Sequence, residues 1–283
     1  MSDLRNNQQT TQRKSFFRSN PVMNRMVKTG ETGTTGKAAA YGGIMAKTIF
    51  FLLCTVAGMM LYLVLDNTMF ASLEQSIHVN VRGYELSTSP LQVGILVGVA
   101  IFGIIMQLLA IFAPVTTPVT GALYSATQGY FISFMVFTLL KGYEYLGLLA
   151  LVITIAIVLV MSILYTTGTI RATKKFRTVM LTLFGTMIAV SILSFIGYLI
   201  PLTRTFVGNI LGHFWISLGL TLLSIIIASL FLISDFAAIE QVVENRMPAK
   251  FEWSAAFGLA FTVLWIYVKV LDLLIQIVGN SKK

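Results

Sequence analysis

The sequence predicts an all-α, polytopic membrane protein: a polar tail over residues 1–43, then seven transmembrane helices within 44–283. Three observations carry that reading. Of the 283 residues, 56% are hydrophobic and 11% charged, against roughly a quarter charged in soluble domains. The apolar residues gather in runs of about 20, the length a helix needs to cross a hydrocarbon layer of ~30 Å. No run alternates polar and apolar residues as barrel strands do. The single cysteine, Cys54, lies in the first run, so an intrachain disulfide is excluded.

The elements follow in chain order. Residues 1–43 are rich in Asn, Gln, Thr, Ser and Gly, as from Asn6 to Gln12 and from Gly30 to Gly36. Such a stretch buries too little apolar surface to offset the entropy of ordering, so a mobile tail is expected. The first apolar segment begins too late and runs too long for a secretory signal. Spans are placed near 44–65, 91–113, 119–140, 146–165, 179–200, 213–234 and 254–278. Pro114 and Pro118 break the chain between spans two and three, because proline supplies no helical N–H.

Small residues and interhelical hydrogen bonds mark where helices touch in lipid. Gly94 and Gly98 in span two, and Gly121, Ser125, Gly129 and Ser133 in span three, recur every four residues and are read as close-packing faces. Span four is almost wholly aliphatic, which fits either the most lipid-exposed helix or a well-packed one. Span six carries Ser217, Thr221, Ser224, Ala228 and Asp235 near one face. Span seven has a matching line of Gly258, Thr262, Trp265, Lys269, Asp272 and Gln276. Side by side, two such helices enclose a wet crevice or simply hydrogen-bond to each other.

Basic residues orient the bundle. The net charge is +9, and eight of the 20 basic residues fall in the first 47 positions; basic flanks beside an apolar span set membrane orientation rather than bind nucleic acid. With the N-terminus inside, the inner segments hold 14 Lys and Arg and the outer segments five. The positive-inside rule therefore predicts a cytoplasmic N-terminus and, after seven spans, a C-terminus outside.

Ionisable groups at membrane depth are expensive and invite a named partner. Lys269 and Asp272, at i and i+3, are expected to pair on one face of span seven. Asp235 closes the inner end of span six. A carboxylate shut away from water loses its hydration, which favours the neutral acid; a gate held by that charge would respond to pH. The plainer alternative is an interfacial acid in water. Catalysis is not expected: HExxH, P-loop and nucleophile-elbow motifs are absent, and His78 and His213 stand alone. Asp235 and Asp272 would be about 27 Å apart along the bundle, too far for a two-aspartate protease. Neither a cofactor nor a metal centre is expected.

Several stretches resemble one family. Asp235-Phe236-Ala237-Ala238-Ile239-Glu240-Gln241, then Met247-Pro248, then Glu252 to Leu259 are similar to the bacterial branch of the Bax-inhibitor (transmembrane Bax inhibitor motif) family. Ala122 to Gly129 resembles its third-span signature, and Asn20-Pro21-Val22 the motif before its first span. The resemblance covers about residues 20–278. It implies a seven-helix bundle with the last helix at its centre and, in the better-studied members, a pH-regulated calcium leak. There two aspartates share a proton-dependent contact that closes the pore. Asp235 matches the first; Thr262, which cannot ionise, stands at the second, and Gln128 stands where relatives carry an acid.

The resulting expectation is a bacterial inner-membrane protein that leaks calcium or another cation. Its gate lies at Asp235 and Thr262, and its path runs past Ser217, Thr221, Ser224 and Gln128. The rival is a non-conducting regulator or substrate of a membrane-bound protease, with the basic tail as its cytoplasmic handle.

Overall fold

The structure, a computed structural model, describes residues 38–70, 77–81, 84–140, 142–201, 203, 205, 208 and 212–280. Helix α1 (Tyr41–Leu65) ends in a π turn, Asp66–Phe70. A two-stranded antiparallel hairpin follows, β1 (Ile77–Val81) against β2 (Tyr84–Thr88). Then come α2 (Pro90–Phe112), α3 (Thr117–Phe134) with a second π turn at Met135–Leu139, α4 (Tyr145–Thr166), α5 (Lys174–Leu199), α6 (Phe214–Glu244) and α7 (Phe251–Asn280). The all-α expectation holds for the bundle, and each predicted span coincides with one helix. The hairpin, which pairs Ile77 with Thr88 and Val81 with Tyr84, is an addition that the apolar runs did not signal.

Local chemistry sets the helix ends. The Ser89 hydroxyl accepts the Gln92 N–H at 3.2 Å with Pro90 in the first turn, and Thr173 caps α5 through the Phe176 N–H. Both satisfy donors that a helix start leaves open. Pro118 opens α3 after the expected break, and the Thr117 hydroxyl returns to the Ala110 carbonyl at 3.1 Å. At the end of α6, Arg246 takes a positive φ of 49° and the Met247 N–H reaches back to Val242 O, a left-handed helix stop.

Among the described residues six helices are long and apolar enough to cross a membrane; α3 is the more polar exception. It is also the most enclosed, with Tyr124, Ser125, Tyr130 and Ser133 all buried. Helix α7 packs on α1, α2, α3, α4 and α6 and meets α5 through ring contacts, so the last helix is central. The largest core joins Ile132, Leu140, Leu146, Ala228, Leu232, Ile233, Ile266 and Leu271 from α3, α4, α6 and α7 and the turn after α3. Burying such side chains contributes roughly 1.5–3 kcal/mol each in water, but lipid tails are equally apolar, so here close fit and polar contacts hold the helices together.

Two expectations need correction, and two are met. The described chain starts at Ala38 and α1 at Tyr41, so 38–43 belong to the folded body; the rest of the predicted tail lies outside the described residues. Gly94 and Gly98 do not pack: a Cβ at either would meet nothing within 4 Å. On α2 it is Gly103 that faces a neighbour, the Thr127 side chain. The α3 stripe does pack, with Gly129 against the backbone of Thr55 and Met59, and the Ser133 hydroxyl on Met59 O at 3.2 Å. Finally, α4 is the well-packed alternative, burying Leu146, Gly147, Ala150, Thr154 and Met161. The barest helix is α5, whose described side chains include one fully buried residue, Met180.

Candidate functional site

The start of α1 and the α6–α7 turn share one end of the bundle. Ala38 bridges to Pro248, the Ala39 N–H donates to Met247 O at 2.8 Å, and the Ala40 N–H donates to Glu252 Oε1 at 2.8 Å. The same carboxylate is bonded to Lys47, which also lies 5.2 Å from the Trp253 ring centroid. Glu252 is 4% exposed, so a charge is held inside the bundle by a counter-ion and a helix N-terminus, the arrangement that makes burial tolerable. Among the described residues this is the one ion pair. Sequence reasoning took Lys47 as an orientation charge and missed its partner 205 positions away. The available signal was that each is a charge set at the edge of an apolar run.

Asp235 lies within α6 rather than at its end, because the helix runs on to Glu244. Its partners come from α7. A Cβ on Gly258 would sit 3.7 Å from Asp235 Oδ1, so the bare glycine face admits the carboxyl. Thr262, one turn after Gly258, stands on the same face of α7. Asp235 Oδ2 is closed off from the surface and has no hydrogen-bond partner. The structure thus sets Asp235 against the Gly258–Thr262 face of α7 and closes one of its oxygens off from the surface, while the residue as a whole is half-buried.

Hydrogen-bond bookkeeping at this contact depends on the proton. Thr262 has one hydroxyl hydrogen, and it points to Gly258 O at 3.2 Å. A neutral Asp235 can donate to Thr262 Oγ and complete a chain of two bonds. A carboxylate has no donor and must compete with Gly258 O for that hydrogen.

Toward the hairpin end of the same seam, Thr221 donates to Asp272 Oδ2 at 3.3 Å. Gln276 Nε2 donates to Thr221 Oγ at 2.7 Å and to Asp272 Oδ2 at 3.2 Å. Asp272 therefore spends its oxygen across the α6–α7 contact, and the expected ion pair with Lys269 is not formed. Lys269, half-buried, has neither a hydrogen bond nor an ion pair among the described residues. Of the other predicted path residues, Ser224 is buried but turns back to Leu220 O at 2.9 Å. Ser217 and Gln128 are half-buried and join neither group.

Four of the six enclosed side-chain atoms without partners among the described residues lie on α6 and α7: Ser234 Oγ, Asp235 Oδ2, Ser254 Oγ and Gln276 Oε1. Natural interiors leave few polar atoms unpaired, and such orphans mark places where water or an ion completes the bonding. No group of three or more His, Cys, Asp or Glu side chains is gathered among the described residues. A hard cation would meet one carboxylate at a time, with hydroxyl and amide oxygens beside it.

A family model described as Bax inhibitor 1 like matches residues 20–279. No curated protein and no solved structure matches the chain.

Proposed function

The chain belongs to the Bax inhibitor 1 like family, and from that premise we propose that it is a proton-gated cation leak whose path follows the α6–α7 seam. The observation that carries the reading is the enclosed, unpartnered Asp235 oxygen facing Thr262 across two polar helix faces. Calcium is the first ion to test, since hard oxygen donors suit it, and one carboxylate makes a weak site that releases what it takes up. The protein acts without catalysis, in a bacterial inner membrane, with the strap of residues 38–40 on the cytoplasmic side; the bias of Lys and Arg supports that orientation.

The sign of the pH response follows from the hydrogen-bond count. The neutral acid completes the chain through Thr262 to Gly258, so the α6–α7 contact is tightest when Asp235 carries its proton. Losing the proton removes that donor and leaves the carboxylate competing with Gly258 O for the single Thr262 hydrogen, so one acceptor goes unmet and the contact loosens. Flux through purified protein in liposomes is therefore expected to be low at pH 5 and to rise toward pH 8. Asp235→Asn keeps a donor and should hold flux at the acid level throughout. Absence of flux above empty liposomes across that range overturns the leak. A pH response that survives Asp235→Asn overturns the gate.

One observation favours a second reading, a non-conducting partner or substrate of a membrane protease. The strap at Ala38–Ala40 joins the start of the chain directly to the α6–α7 turn, so a protein holding the preceding residues would pull on that turn. Deleting residues 1–37 should then abolish partner binding with ion flux unaltered.

A further inference from the structure

The two polar halves of the α6–α7 seam do not meet. Asp235, Gly258 and Thr262 occupy one half, and Thr221, Asp272 and Gln276 the other. Between them stand Phe231, one turn before Asp235, and Trp265, one turn after Thr262, with ring centroids 6.1 Å apart. A third ring closes the triangle from another helix: Phe184 of α5 lies 5.3 Å from Phe231 and 5.4 Å from Trp265. Phe261 extends the apolar layer, 6.5 Å from Trp265. Rings at these separations touch, so a hydrated ion has no passage, and an apolar constriction of this kind excludes water from the seam as well.

The helix that supplies the closing ring is the one held least. Phe176, Met180 and Phe184 recur every four residues and form the ridge of α5 that meets the bundle. Most of the remainder, including Val179, Leu181, Leu183, Ile188, Val190, Ile192 and Leu193, is exposed. Among the described residues one side chain of α5, Met180, is fully buried, so outside this ridge the helix is held lightly.

We propose that Phe184, Phe231 and Trp265 form a hydrophobic gate and that α5 is its moving leaf, whose displacement withdraws Phe184 and joins the two polar halves. The proposal rests on the leak reading for its ion but places the barrier in the ring layer, with Asp235 as the latch beside it. It also accounts for Gln276 Oε1 and Asp235 Oδ2 being left unpaired on opposite sides of one apolar layer.

Reagent access tests the gate without relying on flux. In a Cys54→Ser background, Thr262→Cys is placed on the Asp235 side of the rings, and a membrane-impermeant thiol reagent is added from the hairpin side of oriented vesicles. With Phe184 present, labelling should be slow. Phe184→Ala should speed it about tenfold or more by removing the constriction, while Phe184→Leu, which keeps apolar bulk, should fall between. Only monodisperse protein is compared, and the Leu variant keeps the test valid if the Ala variant fails to fold. Cation flux is read on the same vesicles with native Thr262. Faster labelling together with raised flux supports both gate and leak. Faster labelling without flux supports the ring barrier and overturns the leak. Equal labelling in all three proteins overturns the gate and leaves the rings as packing alone.

Discussion

Alanine at Gly129 tests how the bundle is held, and its size can be worked from the geometry. A methyl carbon there would lie 2.8 Å from the Thr55 carbonyl carbon and 3.0 Å from the Met59 nitrogen, with the Thr55 oxygen nearer still. Non-bonded heavy atoms prefer about 3.5–4.0 Å, and the obstacle is backbone, which cannot rotate aside. Helices α1 and α3 must therefore separate by about 1 Å. The Ser133–Met59 bond, already 3.2 Å, would stretch past useful length, and Tyr62 would draw back from Tyr130, whose ring centroid is 5.1 Å away. Overpacking and the lost bond together cost about 2–4 kcal/mol. Gly98→Ala is the matched control: nothing lies within 4 Å of its added methyl, so helix propensity alone acts, and it favours alanine by up to about 1 kcal/mol. Unfolding in detergent should show Gly129→Ala clearly destabilised and Gly98→Ala equal to or above the parent. Equal loss in both variants would refute the packing argument.

Two further outcomes concern the polar clamps at either end. Glu252→Gln strips the counter-ion from Lys47, whose side chain is 19% exposed; the loss should be roughly 2–3 kcal/mol after allowing for that exposure. Adding Lys47→Met should recover most of it in a double-mutant cycle, and additive losses would show that the pair is not coupled. At the hairpin end, Tyr62 is fully buried, its hydroxyl bonded to Thr138 and accepting from Gln92 Nε2 at 3.1 Å. Tyr62→Phe should lower stability by about 1–3 kcal/mol through the polar groups it strands, and an unchanged melting temperature would count against that network.

The spans were legible because lipid imposes a length: about 20 apolar residues per crossing leave a mark that needs no partner to be read. The α6 and α7 faces were legible for a related reason, since polar residues at helical spacing stand out against an apolar background. Asp235 and Thr262, and Thr221 and Asp272, do meet as those faces suggested. What periodicity cannot carry is the identity of the neighbour. Gly94 and Gly98 share the four-residue repeat of Gly121, Ser125 and Gly129, yet the first two face open space while Gly121 and Gly129 face protein. Lys269 and Asp272 are adjacent on one helix, but Asp272 is claimed by α6. The Lys47–Glu252 contact, closed across 205 positions, has no local trace. The reach of α6 beyond 234 was hidden because Phe236 to Glu244 mixes charge with apolar residues and marks no membrane boundary.

The sparse packing of α5 has a consequence for the surrounding lipid. Beyond its basic first turn the helix runs over 178–199, a rod of about 33 Å, a little longer than a typical ~30 Å hydrocarbon layer. A rod too long for its slab leans over, and one with few protein neighbours leans as far as the slab dictates. Lys174, Lys175 and Arg177 moor one end at the headgroups, so the tilt swings the opposite end. The thickness of the host membrane, set by acyl-chain length and sterol or protein content, thereby becomes a mechanical input to this chain.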